Sequence, residues 1–171
     1  MIKLVISALV LTTTAVGFAS TAHADTPQPQ PGDVAAFEGR TLDPDDGWGA
    51  ATACHVTDSG VSCYRTEAAM DRAIVQIESS SRAVDCSSSL RLYDGTSQTG
   101  AVISLSTRQS VISLSAYGFD DRTSSYRVGA CSTNLYNGIG TSKYGGNTSA
   151  GASTSSMASG WNNVISSISI A

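Results

Sequence analysis

The chain has 171 residues, 14 acidic against 10 basic side chains, a formal net charge of −4 and only 6% aromatic content. An acidic surface without a Lys/Arg stripe argues against nucleic acid or an anionic membrane as partner and is compatible with cations. The length suits one compact domain or two small ones.

Residues 1–24 read as an export signal. A lone Lys3 precedes the mostly apolar run from Leu4 to Phe18, and Ala22-His23-Ala24 supplies a small-x-small cleavage site. Thr12, Thr13 and Thr14 interrupt the run, and no later stretch is apolar enough to span a bilayer. The expected product is secreted and extracellular, cleaved after Ala24 and free of the membrane. Residues 25–35, rich in Pro and Gln, form a solvated linker.

Residues 36–80 read as a small α+β module. Ala36 to Leu42 is expected as a strand and Asp43 to Gly47 as an acidic turn, followed by strands at 53–57 and 61–65 around the turn Asp58-Ser59-Gly60. Thr66 caps a helix starting at Glu67, whose Met70, Ala73, Ile74 and Ile77 make one apolar stripe. Asp43, Asp45 and Asp46 are not an EF-hand, because Trp48 and Cys54 stand where such a loop needs glycine and glutamate.

From residue 83 to 171 the texture is β. Ile103 and Leu105, Ile112 and Leu114, and Ile168 and Ile170 alternate with polar residues, the period of half-buried strands. Short strands and frequent turns indicate a mainly β, two-sheet sandwich. The last strand, with Ile168 and Ile170, is expected to be buried.

This half is an internal repeat. Gly118-Phe119-Asp120-Asp121-Arg122-Thr123-Ser124-Ser125 returns as Gly160-Trp161-Asn162-Asn163-Val164-Ile165-Ser166-Ser167, 42 residues on. Leu92-Tyr93-Asp94-Gly95 returns as Leu135-Tyr136-Asn137-Gly138, 43 residues on. Two phrases that keep their order and nearly one offset define two modules side by side, about 86–130 and 131–171.

All four cysteines fall in the exported part, so disulfides are expected. Cys54 and Cys63 flank a hairpin turn, while Cys86 precedes and Cys131 follows the first repeat, which favours 54 with 63 and 86 with 131. A four-thiolate metal site lacks any C-x-x-C knuckle.

The phrase (N/D)(N/D)xxSS, once per repeat, together with the aromatic-x6-Gly spacing of Tyr93 to Gly100, resembles the βγ-crystallin Greek-key domain of secreted bacterial calcium-binding type. The second repeat departs from it, with Lys143 seven residues after Tyr136 and a long Ser/Gly/Thr-rich stretch up to Gly160. The resemblance implies a two-Greek-key sandwich in which the phrases cross over and hold two Ca²⁺ ions. It implies ligation by the Asp121 and Asn163 side chains, the Ser124 and Ser166 hydroxyls and the Arg122 and Val164 carbonyls. The carbonyls of Asp94 and Asn137 are additional candidates.

The physics agrees, since Ca²⁺ accepts neutral or anionic oxygens in loose geometry. The phrases are unequal, with two carboxylates at Asp120-Asp121 and none at Asn162-Asn163. Two sites of unequal affinity follow. The same residue types also close turns by side-chain to backbone bonds without any ion.

No enzyme is expected. His55 is the one histidine left after export, and no G-x-S-x-G or H-E-x-x-H phrase exists. The alternative function, by fold analogy, is a secreted inhibitor of metalloproteases, with Gly145 to Gly160 as the loop offered to the enzyme. A carbohydrate-binding reading would rest on Trp48, Trp161 and the tyrosines, most of which the core accounts for.

Overall fold

The computed structural model describes residues 34–80, 90–107 and 111–171; the expected export signal, most of the expected linker and Cys86 lie outside the described residues. The segment expected as one strand over 36–42 is a hairpin, with β1 (Ala35–Phe37) antiparallel to β2 (Arg40–Leu42). Its turn residues Glu38 and Gly39 have φ of 49° and 75°, the positive-φ geometry that matches strand twist. Glutamate is a poor residue for this conformation, but Arg65 grips both carboxylate oxygens of Glu38 at 2.5 and 2.7 Å.

β3 (Ala53–Thr57) and β4 (Gly60–Tyr64) form the next hairpin, in a register that sets Cys54 opposite Cys63, and a disulfide joins them. Cys131 is also disulfide-bonded, while Cys86, its expected partner, lies outside the described residues.

Helix α1 (Glu67–Ser80) starts where the sequence places it, with the Ala69 N–H donating to the Thr66 hydroxyl at 3.2 Å. Met70 and Ile74 are buried with Ala53, Tyr93 and Val102, and each contributes roughly 1.5–3 kcal/mol of apolar burial. Ile77 leaves the stripe and is 46% exposed, because it lines an open groove with Arg40, Thr41 and Ser59 instead of packing on the sheet.

The repeat half supplies β5 (Leu90–Tyr93), β6 (Val102–Leu105), β7 (Ile112–Ser113) and β8 (Ser125–Arg127), then β9 (Thr133–Asn137), β10 (Ser142–Lys143), β11 (Ser153–Thr154) and β12 (Ser167–Ile170). An eight-stranded sheet runs β11-β8-β5-β6-β3-β4-β1-β2, and a four-stranded sheet runs β10-β9-β12-β7. Each repeat lends its third strand to the other's sheet. β7 pairs with β12, and β11 pairs with β8.

Between the sheets Leu92, Ile103, Leu105, Leu114, Leu135, Ile165 and Ile168 are buried. Ile170 is only half-buried and packs at the margin of this core. The N-terminal strands continue the same sheet, because β3 pairs in parallel with β6, from Ala53 opposite Val102 to Val56 opposite Leu105. All four residues of β6 are buried, where a half-buried strand would alternate. The reason is a third layer: α1 covers Val102 on the face opposite the sandwich core.

Candidate metal clasp

The two phrases meet as a reciprocal clasp. Asp121 N–H donates to the Ile165 carbonyl at 3.1 Å, and Asn163 N–H donates to the Thr123 carbonyl at 3.0 Å. The second residue of each phrase is thereby bonded to the fourth residue of the other. The side chains repeat the exchange. The Ser166 hydroxyl donates to Asp121 Oδ1 at 3.2 Å, and the Ser124 hydroxyl donates to Asn163 Oδ1 at 3.0 Å.

Each phrase is also tied to the hairpin of its own repeat in matching fashion. Ser124 N–H donates to the Tyr93 carbonyl at 2.8 Å, and Ser166 N–H to the Tyr136 carbonyl at 2.9 Å. The last serines hold the turns that follow these tyrosines. Ser125 Oγ donates to the Gly95 carbonyl at 2.6 Å and accepts from Gln98 N–H at 3.0 Å. Ser167 Oγ donates to the Gly138 carbonyl at 2.7 Å and accepts from Gly140 N–H at 3.1 Å. The repeated Leu-Tyr phrase and the repeated serine pair are thus two ends of one contact, a role the sequence reading did not assign to Ser125 and Ser167.

Asp121 and Asn163 sit at φ of 53° and 56°, the left-handed region that Asp and Asn tolerate best among residues with a side chain. Their conformation places the two side chains across from the partner serines. These residue types therefore serve the turn as well as the clasp.

The surroundings differ between copies. Beside the first phrase, Arg122 donates to Asp94 Oδ2 at 2.8 Å and to the Gly118 carbonyl at 2.9 Å. Asp94 Oδ1 accepts from Ala101 N–H at 2.6 Å, closing the first hairpin. In the second copy Val164 stands for Arg122 and Asn137 for Asp94. The Asn137 carbonyl there accepts from the Thr141 hydroxyl at 2.7 Å.

The donor set fits a hard divalent cation. Oxygens that share a Ca²⁺ ion lie about 3 Å apart, given Ca–O distances of about 2.3–2.6 Å. The two side-chain pairs already have that separation. In each pair the serine hydroxyl donates to the side-chain oxygen across from it, and a cation bound to both oxygens would take the place of that hydrogen bond. Inside the first phrase the Thr123 hydroxyl is buried without a hydrogen-bond partner among the described residues, a polar group with unspent capacity beside the clasp. Among the described residues no three His, Cys, Asp or Glu side chains gather into a metal cluster, at the clasp or elsewhere, so the clasp offers mainly hydroxyl, amide and carbonyl oxygens.

His55, the other candidate for chemistry, is buried and its Nε2 lies 2.8 Å from the Ser106 hydroxyl. Burial, with the Arg91 charge adding to it, pushes its pKa down to about 4. It is a neutral structural histidine at neutral pH. The stretch from Gly145 to Gly160 is bonded along its length to the body. It carries β11, buries Thr148 and Met157, and the Ser155 carbonyl accepts from Ser97 N–H at 2.6 Å.

No family model matches the chain, and no curated protein matches it. Among solved structures it is similar to a βγ-crystallin domain from Clostridium beijerinckii, with 21% identity over 48% of this chain and 95% of that one, at a TM-score of 0.39. A βγ crystallin from Ciona intestinalis gives 18% identity over 48% and 99%, also at 0.39. The N-terminal domain of protein S gives 20% over 48% and 94%, at 0.39. By its own strand order and exchange the fold is a two-Greek-key, βγ-crystallin-like sandwich. Its assignment stands on this chain's own strand exchange and reciprocal corner bonds.

Proposed function

We propose that the chain is a secreted calcium-binding protein of structural or adhesive role, in which the paired phrases hold two Ca²⁺ ions that stabilise the sandwich. The observation that carries this reading is the reciprocal approach of Asp121 to Ser166 at 3.2 Å and of Asn163 to Ser124 at 3.0 Å. Asp121, Ser166 and a neighbouring carbonyl would hold one ion; Asn163, Ser124 and a second carbonyl would hold the other, with water completing each shell. The carbonyls of Arg122 and Val164, next to the second-position residues, are the first candidates, and those of Asp94 and Asn137 come after them. When bound, Ca²⁺ supplies a cross-link between the two repeats.

The two sites are unequal because one has a carboxylate and the other only an amide. Affinity rises with ligand charge, and both sites belong near the roughly 10⁻⁵ to 10⁻³ M range of extracellular modules. An ion that binds only the folded state adds about 2.7 kcal/mol at a hundredfold excess over Kd. Melting the protein with CaCl₂ and with chelator tests this. The expected result is a higher Tm with calcium; identical curves at millimolar calcium would reject the reading.

A further inference from the structure

The two copies of the clasp differ in one respect that their sequence alone does not show: among the described residues the first is gripped by the N-terminal region, and the second by a ring of its own repeat. Arg122, the third residue of the first phrase, is the centre of that grip. Its guanidinium lies 4.9 Å from the Phe119 ring and 5.3 Å from the Trp48 ring. It also bonds to Asp94 Oδ2 and the Gly118 carbonyl at 2.8 and 2.9 Å. Trp48 stacks on Phe119 with centroids 5.3 Å apart, and its indole N–H donates to the Tyr117 carbonyl at 2.8 Å.

Gly118, at φ 62°, lies so close to the Pro44 carbonyl that a Cβ would collide with that backbone oxygen. The corner is therefore fixed from the N-terminal side, the hairpin side and its own backbone. In the second copy Trp161 meets Tyr144 at 5.2 Å, a contact within its own repeat, and Val164 offers no charge for a matching grip.

We infer that Trp48, Asp94 and Arg122 form a brace through which the N-terminal region sets the calcium affinity of the first phrase. This rests on the calcium reading above. The brace acts in two ways. It holds the backbone at residues 121–122 in the conformation that presents the Asp121 carboxylate and the Arg122 carbonyl, so less order must be imposed when the ion arrives. It also keeps the Arg122 charge directed into Asp94 and the two rings. A guanidinium released from that pocket would oppose a cation at the adjacent residue. Trp48 and Arg122 are positioning residues, since neither side chain touches the ion.

Coupling between two sites is reciprocal, so calcium must tighten the brace by the factor by which the brace tightens calcium. That gives a readout independent of binding heat. In the intact chain, amide-type exchange of the Trp48 indole proton, distinguished from that of Trp161 by the variant Trp161→Phe, is expected to slow when CaCl₂ is added. In calorimetric titrations Trp48→Leu and the milder Asp94→Asn are each expected to weaken one of the two sites by about tenfold and leave the other unchanged. Asp94→Asn keeps the oxygen that closes the hairpin, so it tests the brace if Trp48→Leu fails to fold.

Two weakened or two unchanged sites in Asp94→Asn, or a Trp48 exchange rate indifferent to calcium while the unmodified chain binds normally, would overturn the brace and leave the calcium reading standing. Absence of binding heat in the unmodified chain would overturn the calcium reading and the brace with it.

Discussion

The corner at 118–125 and the corner at 160–167 share the backbone bonds of the clasp and have different neighbours. In the first, Phe119 is fully buried and packs against both Trp48 and the Arg122 guanidinium, which also touch each other. In the second, Trp161 is partly exposed and leans on Tyr144. The two repeats share the hydrogen-bond pattern of the clasp, and the N-terminal region together with the exchanges at Asp94/Asn137, Asp121/Asn163 and Arg122/Val164 makes the halves unequal. The symmetric part is the part that a shared cation needs; the asymmetric part governs how firmly each half is held.

The broadest challenge to this comparison is to remove the strand on which both corners close. β12 pairs with β7 from the first repeat and β9 from the second, and Ile168 is fully buried. Truncation before Ser167 is expected to abolish folding altogether, as read by far-UV circular dichroism. A shortened chain that melts like the full one would contradict the exchanged-strand core.

The next largest effect separates the corners themselves. Phe119→Ala is expected to cost about 3–5 kcal/mol in denaturant unfolding, whereas Trp161→Ala, at a partly solvated position, is expected to cost roughly 1–2 kcal/mol. Equal losses would mean that the brace adds nothing to the first corner.

The N-terminal region should also carry a pH dependence of its own. His55 has a folded pKa of about 4 against 6.5 for the ordinary group. The unfolded chain therefore takes up the proton first, so stability is complete above pH 6.5 and is lost as pH falls through that window towards 4. The loss is on the order of 2–3 kcal/mol. Melting curves from pH 7 to 4 check it, and His55→Gln is expected to flatten the slope between 6.5 and 5.

The smallest effect sharpens the comparison at the clasp. Asp121→Asn makes the two second-position side chains alike and is expected to weaken the stronger calcium site about tenfold, towards the weaker one. Calorimetry that still resolves two sites of the original ratio would assign the inequality to something other than ligand charge.

Much of the architecture was legible in the chain because its signals are local. Thr66 and the Met70 and Ile74 spacing mark the helix, Asp58 to Gly60 marks the turn between β3 and β4, and the duplicated phrases mark the two keys. What escaped is non-local. Nothing in Ala53 to Val56 announces parallel pairing with β6 across the intervening helix. Glu38-Gly39 is not recognisable as a turn from sequence, because glutamate seldom takes the positive φ that it has here.

At the clasp, the second-position side chains and the first serines were legible from spacing. The second serines were read as part of the motif without their duty to the hairpins. The sequence points to Arg122 for its carbonyl alone, although the nearby Phe119, and an aspartate at 94 where the repeat has Asn137, are hints of a cation held by a ring and a carboxylate.

The most direct measurement is a calorimetric titration of the intact chain with CaCl₂, repeated on the double variant Ser124→Ala, Ser166→Ala. The account predicts two binding events of unequal affinity in the first case, both strongly weakened in the second. No heat with the unmodified chain, or undiminished binding once both hydroxyls are gone, would contradict it.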